Sequence, residues 1–333
     1  MQYKLIIFPI FLYLLNIFLV KYKFLIDDPT GSFHKIEKQT NIPLSGGIYI
    51  LVCLSLLIIT DSTLFIDFIF ILFLILILIL GIFSDIKKNF SPKLRIVFQL
   101  LIIISLVFYN QELLIEKTNI DFLDKLTSNN NAKFIFTIFC IITLLNGFNF
   151  MDGVNGLVSG YVLSILVVLS FISYKISGIF DYYEILLVFL IFFIFNIFGK
   201  SFLGDNGVYI ASILLSYIVI NFVNIKTTVS PIIAVSLFWY PAIENLFTIL
   251  RRLFKKKVTY LPDKLHLHSL IYKRLNFTNL INKNSFTGLI INIALIPNFI
   301  AAYLFFDSSF YLAVSVLIYV IIYIISYFVL IKK

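Results

Sequence analysis

The sequence predicts an all-α polytopic integral membrane protein of about eleven transmembrane helices, with an active site at the cytoplasmic face. Composition is the first reason: 61% of residues are hydrophobic and 13% charged, with a mean hydropathy of +1.03, whereas soluble domains carry roughly 25% charged residues. The second is that runs of about 20 apolar residues, long enough to cross a hydrocarbon core of about 30 Å, recur from one end to the other. The third is that these runs are continuously apolar rather than alternating, which selects helices over a barrel. Cys53 and Cys140 fall inside apolar spans, so they read as packing residues, with no disulfide or zinc site.

Taken in order, the first span covers Tyr3 to Val20 with no small-residue cleavage site after it, and reads as an anchor rather than a removed signal. The polar segment Lys21 to Ser45 follows. Spans two and three cover Gly46 to Ile59 and Leu64 to Phe83, joined by a short turn at Asp61, and span two is short for a crossing. The charged loop Ser84 to Lys93 leads into span four, Leu94 to Phe108. Asn110 to Lys133, with its Asn129 to Asn131 patch, is expected to be the least structured piece. Spans five and six cover Phe134 to Phe150 and Leu157 to Tyr174, and spans seven and eight Ile185 to Phe198 and Val208 to Val223, with Gly199 to Gly207 between the latter two. Span nine, Pro231 to Leu250, is expected to bend at Pro241. The basic loop Arg251 to Lys283 reads as a cytoplasmic substrate-binding loop, and spans ten and eleven, Phe286 to Phe306 and Phe310 to Ile331, complete a single domain, 1–333. No internal repeat is visible.

Orientation follows from the lysines and arginines of alternate loops. Placing Lys21 to Ser45 in the cytoplasm puts 20 of the 26 basic residues on that side, all but Lys4, Lys117, Lys125, Lys133, Lys175 and Lys226. The expected location is therefore the plasma (inner) membrane, multi-pass, and the net charge of +9 belongs mostly to one face, where it also attracts anionic lipid.

That orientation gathers Asp27, Asp28, Asp85, Asp152, Asp205, Glu244 and Asp263 on the cytoplasmic side, although acidic residues do not set topology. Taken singly, each reads as a cap on a helix end, and Gly204-Asp205-Asn206-Gly207 as a turn. Asn146, Asn149, Asp152 and Asn155 recur every three residues, which on one helix would make a slanting polar stripe. Polar groups closing a hydrocarbon-length segment are expensive unless they have a partner or a task. Several carboxylates with Asn149 and a basic loop at one depth suit a hard cation and a phosphate-bearing ligand.

The segment Asn146 to Leu157 resembles the Asn-x-x-Asn-x-x-Asp-Gly-x-[Asp/Asn]-Gly-Leu signature of the polyprenyl-phosphate N-acetylhexosamine-1-phosphate transferases, a glycosyltransferase family 4 group that includes undecaprenyl-phosphate GlcNAc-1-phosphate transferases. Three further stretches resemble the family's motifs in its order: Asp28-Pro29 with His34-Lys35 and Pro43 to Gly47; Phe195-Asn196 through Gly207; and Pro241 through Arg251-Arg252 to Pro262-Asp263-Lys264-Leu265-His266-Leu267-His268. Together they span about residues 1 to 275.

The resemblance implies that Asp205 binds Mg²⁺, with Asn149 as co-ligand and Mn²⁺ as the alternative ion. It implies that Asn155 contacts uracil and that Asp152 lies at the floor of the active site. It further implies that Asp263, His266 and His268, with Arg251 or Arg252, hold the nucleotide diphosphate and sugar. The implied partners are a UDP-sugar donor, a polyprenyl-phosphate acceptor in the membrane, and a second copy of the chain. Nothing points to a nucleic acid. Three positions depart from the family pattern: Ser84-Asp85 replaces an Asp-Asp pair, Glu244 replaces Asp, and Ser269 replaces a third histidine. A phosphate monoester is already mostly dianionic at neutral pH, so the acid missing at Ser84 is not needed as a base, and Asp85 could orient the acceptor.

The implied reaction transfers an N-acetylhexosamine 1-phosphate to undecaprenyl phosphate and releases UMP, the initiating step of a cell-surface polysaccharide such as O-antigen, capsule, teichoic-acid-like or peptidoglycan-related polymer. The rival reading is a secondary transporter, whose acids would sit near the midplane, often within a repeated architecture. A third, a glycosyltransferase with a lipid-linked donor, would be expected to work on the opposite face. His34 reads as an exposed loop residue, and Trp239 with Tyr240 as an interface belt or a cleft lining. The sequence names neither the sugar nor the pathway.

Overall fold

The computed structural model describes residues 4–27, 41–60, 66–87, 90–254, 265–275 and 282–332. Among them are thirteen α-helices and no strand: α1 Lys4–Lys21, α2 Gly46–Thr60, α3 Phe68–Ile86, α4 Pro92–Tyr109, α5 Asp121–Leu126, α6 Asn130–Met151, α7 Leu157–Ser177, α8 Tyr183–Ile197, α9 Gly204–Ile225, α10 Ile232–Phe254, α11 Leu267–Arg274, α12 Lys283–Leu304 and α13 Ser309–Lys332. Nine of these are long and apolar enough to cross a membrane, and α2 and α8 are shorter apolar helices of 15 residues each. At 1.5 Å per residue those two reach about 22 Å, less than the hydrocarbon core. The chain is an all-α polytopic membrane protein, and its eleven apolar helices coincide with the eleven expected spans.

α9 is the axis of the bundle. Every residue from Asn206 to Phe222 is buried, as expected of a helix apolar all round, and α2, α3 and α6 pack around it. The opposite case is α13, whose buried residues are Leu312, Tyr323 and Tyr327, while Phe310, Leu317 and Ile325 are exposed. With no hydrophobic drive between helices in lipid, small residues and interhelical hydrogen bonds set the packing. Asn245 donates to Thr143 O and Asn298 to Ser236 O, joining α10 to α6 and α12. At the far end of α1, Lys4 and Glu184 of α8 form a buried ion pair.

α10 runs through Pro241 as one helix. A proline cannot donate to the carbonyl four residues earlier, and Leu237 O instead accepts from the buried Tyr161 hydroxyl of α7 at 2.7 Å. The buried carbonyl is satisfied by a neighbouring helix.

Three expectations are corrected. The segment Asn110 to Lys133 is ordered: it holds a 3₁₀ turn at Gln111–Leu113 and α5, and Asn129 caps α6 by accepting from Ala132 N at 2.8 Å. Asn129 thus satisfies a helix end rather than marking a loose loop. The polar stripe is broken, because α6 ends at Met151, Asp152 is its C-cap and Asn155 lies beyond the helix. The basic loop begins later than Arg251, since α10 carries Arg251 and Arg252 to Phe254, and α11 occupies its second half.

Candidate active site

The C-terminal end of α6 brings two polar clusters together. Asn149 faces α9, where its Nδ2 donates to Asp205 Oδ1 at 2.8 Å. The next residue, Phe150, faces the other way, its ring 5.2 Å from that of His266.

In the first cluster Asp205 stands in the first turn of α9, where a helix N-terminus favours negative charge. Its Oδ2 accepts from Ser84 Oγ at 2.5 Å, Arg95 Nη1 at 3.0 Å and the Tyr209 hydroxyl at 3.3 Å. Asp85 does something else. Its carboxylate accepts from the backbone N–H groups of Asp205 and Asn206 at 2.9 and 3.1 Å, and from Asn206 Nδ2 at 2.6 Å. It therefore satisfies donors that the start of α9 would otherwise leave unpaired. Asn206 continues the seam, accepting from Gly47 N at 2.8 Å and donating to Leu44 O at 3.1 Å. Gly81 lets α3 approach this closely, since a Cβ there would lie 2.3 Å from Asn206 Cα.

In the second cluster the fully buried Glu244 of α10 orders the entry to α11. One of its oxygens lies 3.1 Å from His266 Nδ1, and the other accepts from Leu267 N at 3.2 Å. A carboxylate on Nδ1 sets the tautomer that leaves Nε2 as the acceptor. His266 and His268 stack with their planes 2° apart and centroids 5.5 Å apart. His268 lies against the turn after α6, where a Cβ on Gly153 would be 2.1 Å from its Nε2. Burial, with the neighbouring His266 adding to it and Glu244 opposing, pushes the His268 imidazole down to about 3. Arg251 donates to Leu265 O and to the Tyr327 hydroxyl, each at 2.6 Å, so it ties the approach to α11 onto α13.

The remaining expected residues are distributed as follows. Asp152 is partly buried at the C-cap of α6, and Arg252 is buried on α10. Asn155 is buried, its N–H donating to Asn284 Oδ1 at 2.7 Å and its Nδ2 to Ser285 Oγ at 3.3 Å, which holds the turn against α12. Asp28, Pro29, His34, Lys35, Asp61, Asp263 and Lys264 lie outside the described residues.

Sequence reasoning passed over Arg95, Tyr209 and Asn206 as site residues. Arg95 was legible as a charge inside an apolar run, and Tyr209 as the helical neighbour four residues after Asp205. Asn206 offered no such signal, because its partners come from distant segments. Among the described residues no three His, Cys, Asp or Glu side chains form a metal-binding group. A hard cation would take the Asp205 carboxylate with amide, water and phosphate oxygens, a donor set that suits Mg²⁺.

Residues 67–223 match the family model described as glycosyl transferase family 4. That stretch contains Asp85, Arg95, Asn149, Asp152, Asn155 and Asp205; Glu244, His266 and His268 lie beyond it. The chain is also 27% identical over 203 residues to the "Probable undecaprenyl-phosphate N-acetylglucosaminyl 1-phosphate transferase" of Bacillus subtilis (strain 168), covering 58% of this chain and 54% of the relative. The match thus spans about half the length of that relative. Residues 67–223, which carry the polar groups at the end of α6 and the start of α9, are thus similar to glycosyl transferase family 4.

Proposed function

We propose that the chain transfers an N-acetylhexosamine 1-phosphate from a UDP-sugar to a polyprenyl phosphate such as undecaprenyl phosphate, with UMP leaving. The observation that carries this reading is the Asp205 carboxylate at the N-terminus of α9, in contact with Asn149 and Arg95, one residue of α6 away from the His266 cluster. The B. subtilis relative, by its name, acts on undecaprenyl phosphate and N-acetylglucosaminyl 1-phosphate.

A phosphate oxygen of the lipid attacks the sugar-bearing phosphorus; the new P–O bond forms as the pyrophosphate bond breaks, and UMP takes the electron pair. The acceptor is mostly dianionic at neutral pH and needs no base. Arg95 offers a guanidinium fork matched to phosphate oxygens. His266, oriented by Glu244, and His268 border the place of the nucleotide diphosphate and sugar, and Asn155, Arg251, Arg252 and Asp263 support that donor side. A divalent cation held by Asp205 and Asn149 would neutralise the charge that develops on the transferring phosphates. The basic-residue count supports a plasma-membrane protein whose α6 C-terminal end faces the cytoplasm.

The test is which nucleotide leaves. Membranes containing the protein, with undecaprenyl phosphate, Mg²⁺ and a panel of UDP-N-acetylhexosamines, should yield a lipid-pyrophosphate-linked sugar and UMP. Added UMP should discharge that lipid and regenerate UDP-sugar, because one pyrophosphate is exchanged for another. Release of UDP would mean attack at the anomeric carbon and an ordinary glycosyltransferase.

A further inference from the structure

We propose that Arg95 is a positioning residue that holds Asp205 in a closed ion pair until substrate phosphates arrive, so that the divalent cation enters with the phosphates and not before them. The proposal rests on the reading of the site given above.

Four donors converge on the Asp205 carboxylate: Asn149 on Oδ1, and Ser84, Arg95 and Tyr209 on Oδ2. Arg95 is itself steadied by Ser84, its Nη1 lying 3.3 Å from Ser84 Oγ. The ion-pair side chains are only 19% and 21% exposed, so solvent screens the pair less than it would at a surface. A guanidinium carries donors and no acceptor. A cation approaching Oδ2 therefore meets a positive charge at ion-pair distance and must displace it. Phosphate oxygens give the guanidinium a better-matched partner, and their arrival frees the carboxylate.

A second observation supplies the place to which Arg95 can turn. Gln99 stands four residues further along α4, on the same face. It is 1% exposed, and neither atom of its amide has a hydrogen-bond partner among the described residues. A buried amide left in that state is costly. Arg95 turned away from Asp205 along α4 can donate to Gln99 Oε1, and Gln99 is thereby the second seat of the arginine.

The test is direct Mn²⁺ binding, followed by electron paramagnetic resonance, to the full chain in lipid nanodiscs without substrate. Wild type should bind weakly, and UMP should tighten binding. Arg95→Gln should tighten substrate-free binding about tenfold or more, and the gain should vanish in Arg95→Gln/Asp205→Asn. Arg95→Lys, which keeps the charge, should stay near wild type. Gln99→Leu, which removes the second seat, should bind more weakly than wild type. If Arg95→Gln does not fold, Ser84→Ala tests the same contact and should tighten binding a few-fold by loosening the pair. Affinity unchanged in folded Arg95→Gln and Ser84→Ala, from a protein that still releases UMP, overturns the latch alone. Absence of any Asp205-dependent binding together with absence of UMP release overturns the reading of the site as well.

Discussion

Asp205 takes part in both the architecture and the proposed chemistry, since it opens α9 and bonds to α3, α4 and α6. Asp205→Asn removes the charge a divalent cation needs, and UMP release should fall at least about 100-fold, a loss of several kcal/mol of transition-state stabilisation. Near-normal release would take Asp205 out of the metal site. His268 makes a prediction about pH. Its ordinary value of 6.5 falls to about 3 in the folded protein, so below 6.5 the unfolded chain binds a proton that the folded chain refuses. Stability is whole above pH 6.5 and declines as pH drops toward 3, by about 2 kcal/mol at pH 5 from this residue. Thermal unfolding at pH 7.5 and pH 5 should show this gap narrowing in His268→Gln, and an unchanged gap would mean that the imidazole is not held neutral by its burial.

At the scale of the element, α9 and α10 each have an end or a break that another helix repairs. Asp85 accepts three N–H donors from the start of α9. Asp85→Ala should therefore cost about 2–3 kcal/mol, read as a lower unfolding temperature in detergent. A residue needed only for chemistry would leave that temperature alone. Tyr161→Phe leaves Leu237 O buried without its donor, and about 1–3 kcal/mol should be lost while the core packing of the ring is kept. No change in melting would show that the carbonyl above Pro241 finds water or another donor.

At the scale of the molecule, the two polar clusters sit at one end of a bundle whose exposed surface is largely apolar, and the proposed orientation places that end in the cytoplasm. With Cys53 and Cys140 replaced, single cysteines at the exposed Lys117 and Lys273 should react with an impermeant thiol reagent from opposite sides of a sealed membrane. Labelling of both from one side would overturn the orientation and separate the His266 cluster from the cytoplasmic nucleotide pool.

The sequence alone determined the eleven apolar helices, because hydrocarbon requires every backbone group to bond within its own segment and leaves an unbroken apolar run as the trace. It also pointed to Asp205, Asn149 and His266, because polar groups are conspicuous in such surroundings and because their spacing resembles a family pattern. What it did not contain was how those groups pair. Asp85, legible as an acid at a helix end, proved to cap a helix that begins 119 residues later. Asn155, legible as one step of a stripe, proved to lie beyond the helix and bond across to α12. Arg95, which counts in the sequence as one of many basic residues, is ion-paired with Asp205. A hydrogen bond is decided within a few tenths of an ångström, between atoms brought together by packing from opposite ends of the chain. Only the tertiary structure could show which of these polar residues hold the helices together and which meet at the site.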